Sequence, residues 1–218
     1  MTPQAPRARP VAPPRFYQIV DSARWLERFL PLGLKFAQLR VKDQPEATLR
    51  AEIRAAVDLC AAAGAILVVN DHWRLALDCG ASWVHLGQED LAAADLAAIR
   101  AGGLKLGIST HDEAELETAL AAAPDYVALG PIYPTILKKM RFAPQGIERI
   151  TAWKRRIGAT PLVAIGGFTV ERGLGAYDAG ADVVCVVTDV LLNKDPEARL
   201  REWLALSAAP PPPGLDLS

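Results

Sequence analysis

Residues 66–109 read ILVVNDHWRLALDCGASWVHLGQEDLAAADLAAIRAGGLKLGIS, and this stretch decides the fold. Three short apolar runs, 66–70, 83–87 and 105–109, are separated by alanine-rich segments with the apolar spacing of helices. The runs are continuous rather than alternating in polarity, as expected of parallel strands covered on both faces. Working outward, similar runs stand at 16–20, 35–41, 126–132, 162–166 and 183–187. Helices are expected over 22–29, 45–63, 73–79, 91–101, 113–122, 147–157, 171–179 and 195–206. Gly64, Gly80, Gly102, Gly158 and Gly180 follow helix ends, where positive φ is needed, and Thr110 with Glu113 reads as a capping box. Repeated βα units imply right-handed crossovers, and about eight of them fit a small, single (β/α)8 TIM barrel of the α/β class. An open doubly wound sheet would call for G-x-G-x-x-G after the first strand, where Asp21, Ser22 and Ala23 stand instead.

The chain has 218 residues, with 24 basic against 25 acidic side chains and a net charge of −1. That balance argues against nucleic acid or an anionic membrane as a partner, and no run is long and apolar enough to span a bilayer. The expected partners are phosphorylated small molecules, and self-association into a homo-oligomer stays open. Cys60, Cys79 and Cys185 match no zinc or redox spacing, which points to a reducing, cytoplasmic setting. The histidines His72, His85 and His111 lack zinc-site spacing too, and His85, on a strand, reads as a packed interior side chain. Proline density marks residues 1–14 and 207–218 as extended tails around a barrel domain at 15–206, and the N-terminus lacks the apolar core of a secretory signal.

A barrel of this kind carries its site at the C-terminal ends of the strands, so the polar residues closing each run matter most. Gln38, Arg40 and Lys42 alternate and face the interior together, where two cations call for an anion. Salt bridges to neighbouring acids, or solvent around Lys42, are the plainer account. Asp71 and Asp90 close adjacent strands and suit Mg2+, which takes few protein ligands and completes its shell with water and phosphate oxygens. Each could instead cap a helix, Asp71 the one near His72 and Asp90 the one from Leu91. Gly166, Gly167 and Thr188 close the seventh and eighth strands, where such barrels bind phosphate, although tight turns also select glycine. Residues 130–141 form a long loop with Lys138, Lys139 and Arg141, either a flap over phosphates or a solvated surface loop.

Gln38-Leu39-Arg40-Val41-Lys42, Asn70-Asp71, His85-Leu86-Gly87-Gln88-Glu89-Asp90, Gly107-Ile108-Ser109, Gly130-Pro131-Ile132-Tyr133-Pro134-Thr135 through Lys138, and Ile165-Gly166-Gly167 resemble motifs of the thiamine phosphate synthase family, in the same order. The resemblance spans about residues 16–205. It implies an Mg2+-dependent transferase of thiamine biosynthesis that joins 4-amino-2-methyl-5-(diphosphooxymethyl)pyrimidine to a thiazole phosphate and releases diphosphate. It implies that Gln38, Arg40, Lys42, Asn70, Ser109 and Lys138 hold the pyrimidine diphosphate, with Arg40, Lys42, Ser109 and Lys138 acting in the chemistry. Asp71 and Asp90 would bind Mg2+, while Thr135, Gly166, Gly167 and the Val187-Thr188 backbone would hold the thiazole phosphate. The family pattern after Pro134 is usually Thr-x-Thr-Lys. This chain has Thr135-Ile136-Leu137-Lys138, so Leu137 occupies a substrate-binding position without the usual hydroxyl.

Two alternatives accompany this expectation. A thiazole tautomerase of the same superfamily would need no diphosphate site, and the chain resembles it less because Arg40, Lys42, Asn70, Asp71 and Asp90 are all present. A non-catalytic regulator that binds the thiazole phosphate would keep the phosphate loop without turnover.

Overall fold

The structure, a computed structural model, describes residues 13–135 and 142–208. Most of each expected tail, and Leu137 and Lys138 of the loop, lie outside these described residues.

Eight parallel strands close into a barrel in chain order. They are β1 (Phe16–Val20), β2 (Phe36–Leu39), β3 (Ile66–Asn70), β4 (Trp83–Leu86), β5 (Lys105–Thr110), β6 (Tyr126–Leu129), β7 (Leu162–Ile165) and β8 (Val183–Val186). Closure follows from β1 pairing with both β2 and β8, for example Gln18 with Ala37 and with Val186. The helices around it are α1 (Ala23–Phe29), α2 (Glu46–Ala62), α3 (Trp73–Asp78), α4 (Gln88–Ala93), α5 (Leu96–Ala101), α6 (Glu113–Ala121), α7 (Glu148–Ile157), α8 (Val170–Asp178), α9 (Thr188–Leu191) and α10 (Pro196–Ser207).

The continuous apolar runs are explained by two cores, one on each face of the sheet. One set of side chains, including Leu39, Val69, Leu86 and Ile108, packs outward against helix residues such as Leu26, Ile53, Ile99 and Trp203. The other set points inward: Tyr17, Phe36, Val68, Trp83, Tyr126 and Val183 fill the barrel. Tyr17 and Phe36 stack with centroids 3.9 Å apart, and Tyr126 stands edge-on to Phe36 at 6.3 Å. Gly107 makes room for this plug, because a Cβ there would collide with the Tyr126 ring. Each large side chain so buried stabilises the fold by about 1.5–3 kcal/mol before entropy is counted.

Four local expectations are corrected. The helix over 91–101 is two helices, because Ala94 turns extended and the Asp95 carboxylate accepts from the Ala98 N–H to start α5. The positive-φ residue after α5 is Gly103 (φ 77°), whereas Gly102 remains right-handed. Thr110 belongs to β5 and caps no helix: its hydroxyl donates to the Ala128 carbonyl and accepts from the Trp153 indole. Asp112 caps α6 by accepting from the Glu115 N–H, and the Glu115 carboxylate accepts in turn from the His111 N–H, so the reciprocal arrangement is shifted along the chain. Finally, β2 ends at Leu39, which leaves Arg40 and Lys42 on the loop just past the strand.

Candidate active site

The C-terminal strand ends surround a cavity of about 1090 Å3. Every described residue expected to act lines it: Gln38, Arg40, Lys42, Asn70, Asp71, Asp90, Ser109, Thr135, Gly166, Gly167, Val187 and Thr188. Leu137 and Lys138 cannot be placed with them, being outside the described residues.

The acidic wall is built by β3 and β4. Asp71 follows the last residue of β3 with φ 63°, a left-handed conformation that Asp and Asn adopt more readily than most residues. Its N–H donates to the His85 carbonyl at 2.8 Å, and its Oδ2 accepts from the Asn70 side-chain amide at 2.5 Å. Neither expected capping role is present: His72 occupies the N-cap of α3, and Asp90 lies within the first turn of α4, which follows Gly87. The two carboxyls instead meet each other. Burial pushes the Asp71 carboxyl above its ordinary range, the adjoining Asp90 carboxylate adds to this by charge and hydrogen bond, and Lys42 and Arg40 pull the other way. Among the described residues no group of three or more His, Cys, Asp or Glu side chains forms a closed metal cage.

A polar chain crosses the cavity floor. The Gln38 amide donates to the Tyr17 hydroxyl at 2.8 Å, and the hydroxyls of Tyr17 and Tyr126 are 3.1 Å apart. Tyr126 meets Nδ1 of His85 at 2.9 Å, and Nε2 of His85 meets the Ser109 hydroxyl at 2.8 Å. Burial lowers the His85 pKa to about 4, with Arg40 adding to the effect, so the ring is neutral near pH 7. His85 is the packed interior histidine that its strand position suggests, and in addition it holds Ser109. In a neutral ring one nitrogen donates and the other accepts, so the bonds run in one direction across it.

The opposite wall comes from β6, β7 and β8. Gly166 (φ 103°) and Gly167 (φ 68°) are both left-handed. A Cβ on Gly166 would lie 2.6 Å from Pro131 Cα, and one on Gly167 would strike the Pro134 carbonyl. The tight-turn reason for these glycines therefore holds, and the same turn forms cavity wall. The loop after β6 is fastened to it by the Ile132 N–H on the Ile165 carbonyl and the Tyr133 N–H on that of Gly166, each at 3.0 Å. Beside it Thr188 begins α9, next to Asp189.

Sequence reasoning missed one corner of the cavity. His111 stacks on Phe142 with centroids 4.7 Å apart, and its Nδ1 is 2.6 Å from the Glu115 carboxylate. His111 lies just past the end of β5, which was a usable signal, but nothing local marks Phe142 as its neighbour.

The profile of the thiamine monophosphate synthase family matches residues 10–190. The chain belongs to that family. A thiamine-phosphate synthase from Rhizobium etli is 65% identical over 193 residues, covering 88% of this chain and 95% of the relative. One from Citrobacter koseri is 43% identical over 193 residues, covering 88% and 92%. A thiamine phosphate pyrophosphorylase from Pyrococcus furiosus shares the fold with a TM-score of 0.80 at 23% identity, over 89% of this chain and 95% of that structure. Family membership agrees with the barrel and with the order of the motifs along it.

Proposed function

We propose that this member of the thiamine monophosphate synthase family couples the pyrimidine methyl diphosphate to the thiazole phosphate, giving thiamine phosphate and diphosphate. The observation that carries the reading is 65% identity, over nearly the whole length, to a protein named thiamine-phosphate synthase. The bond from the pyrimidine methylene carbon to the diphosphate oxygen breaks, its electron pair leaving with the oxygen. The aminopyrimidine spreads the positive charge that remains, and the thiazole nitrogen lone pair forms the new carbon–nitrogen bond. No protein nucleophile is needed.

In this reading Arg40, Lys42 and Lys138 face the diphosphate and stabilise charge as it grows on the leaving oxygen. Asn70 and Ser109 orient it, Ser109 being held by neutral His85, and Gln38 meets the pyrimidine. Thr135, the Gly166-Gly167 turn and the Val187-Thr188 backbone take the thiazole phosphate. Asp71 and Asp90 hold Mg2+, a fit supported by two adjoining carboxyls whose mutual repulsion a hard cation relieves. When bound, Mg2+ supplies positive charge to diphosphate oxygens. Two carboxylates are too few to fill its shell, which suits a metal that arrives with its substrate. A cytoplasmic setting belongs to the same reading, supported by three unpaired cysteines. Among the described residues no helix is long and apolar enough to cross a membrane.

The test is to mix purified full-length protein with both substrates and Mg2+ and measure thiamine phosphate and diphosphate. Equal amounts of the two products are expected. Conversion of the thiazole phosphate without diphosphate substrate or Mg2+ would favour the tautomerase, and tight binding without turnover would favour the regulator.

A further inference from the structure

We infer that Arg199, on α10 and outside the cavity, is the counter-charge that allows Asp189 to stand on the wall of an anion site. Asp189 lines the cavity next to Thr188, so an acidic residue adjoins the backbone that the proposed function gives to the thiazole phosphate. Left alone, it would repel that anion. Its two oxygens are instead taken from behind: Nη2 of Arg199 donates to Oδ1 at 3.1 Å, and Nε of Arg199 and the Trp203 indole donate to Oδ2 at 2.8 and 2.7 Å. This fork-shaped pairing is the strong kind of charge-assisted contact.

Arg199 also meets Glu171 and Glu202, but these side chains are 71% and 54% exposed and have water as an alternative. Asp189 is 12% exposed and Arg199 14%, so of the three carboxylates that meet the guanidinium Asp189 is the one with least access to water. The effect is local to the phosphate wall, because Arg40, Lys42, Asp71 and Asp90 come from β2, β3 and β4 on another side of the barrel. Arg199 is thus a positioning residue, acting on substrate through Asp189.

The inference rests on the thiazole phosphate occupying the turn at Thr188, and its test needs no turnover. Binding of thiazole phosphate to full-length protein is measured by calorimetry for wild type, Arg199→Met, Asp189→Asn and the double variant. Arg199→Met should weaken binding about tenfold or more, and Asp189→Asn in that background should recover at least threefold. Asp189→Asn alone should bind as tightly as wild type or more tightly, which keeps the inference testable if Arg199→Met does not fold. A purely structural ion pair predicts that breaking it from either end weakens binding. Weaker binding by Asp189→Asn, or a double variant no better than Arg199→Met, would overturn the inference. Failure of the synthase reading shows separately, as wild type that binds thiazole phosphate but forms no thiamine phosphate.

Discussion

Nε2 of His85 lies 2.8 Å from the hydroxyl of Ser109, and the ring that carries it is buried and neutral. This one contact ties a strand-interior side chain to a residue on the cavity wall, and the burial of its ring has a measurable cost in acid. Burial lowers the His85 pKa from 6.5 to about 4, so between those values the unfolded chain binds more protons than the folded one. The contribution is complete above pH 6.5 and is lost as pH falls toward 4, amounting to roughly 3 kcal/mol at 1.36 kcal/mol per unit. Denaturant unfolding across this window should show stability rising with pH in the wild type. His85→Gln should be less stable near neutrality and have a flatter profile, and an equally steep profile would assign the slope to other groups.

Asp71→Asn and Asp90→Asn should lower turnover by about 10²–10³, the usual cost of losing a key electrostatic group. Melting temperature should change little, since neither residue is an N-cap and asparagine tolerates the φ of 63° at position 71. Rates titrated with Mg2+, beside melting curves, check this. Full activity with a lowered melting point would leave the carboxylates a structural role only.

Leu137→Thr restores a hydroxyl at the position where this chain departs from its family. A hydrogen bond to a charged group is worth about 1.5–3 kcal/mol, enough for a tenfold gain or more if geometry were ideal. A smaller change, under about tenfold in the thiazole-phosphate KM, is expected because Thr135, Gly167 and the main chain at Thr188 remain to bind the phosphate. Lys138→Ala, by contrast, should severely impair the diphosphate step. Steady-state kinetics with each substrate varied in turn separates the two, and a chain active only after Leu137→Thr would point to a natural binder without turnover.

Gly167→Ala should be damaging out of proportion to its size. The left-handed backbone costs an alanine about 1–2 kcal/mol, and its methyl would press on the Pro134 carbonyl. A lower melting temperature together with a raised thiazole-phosphate KM is expected. A raised KM with an unchanged melting temperature would locate the effect in binding alone.

The barrel was legible in the sequence because a strand buried on both faces has to be apolar at every position, as 66–69 and 183–186 are. The wall residues were legible for a related reason: a polar side chain that ends such a run is already at the mouth. What escaped was set by partners far away in the chain. Thr110 has the spacing of a cap, yet the Trp153 indole and the Ala128 carbonyl claim its hydroxyl from α7 and β6. The link from Gln38 to Ser109 passes through tyrosines on β1 and β6, and Asp189 meets a cation on the last helix. The division at Ala94 was available locally, since Asp95 has the spacing to cap a new helix at Ala98.

The aromatic plug inside the barrel has one further consequence, for traffic. Tyr17, Phe36 and Tyr126 are almost wholly buried, so the cavity is a well with a solid bottom, closed at the end away from the strand mouths. Gln38, 2% exposed, lies near that bottom, whereas Leu192, 69% exposed, stands at the rim. A molecule seated against Gln38 must enter before anything that fills the rim, and it leaves only after the rim has cleared. The well thus has a single doorway, and whatever is seated deepest both enters and leaves past the rim.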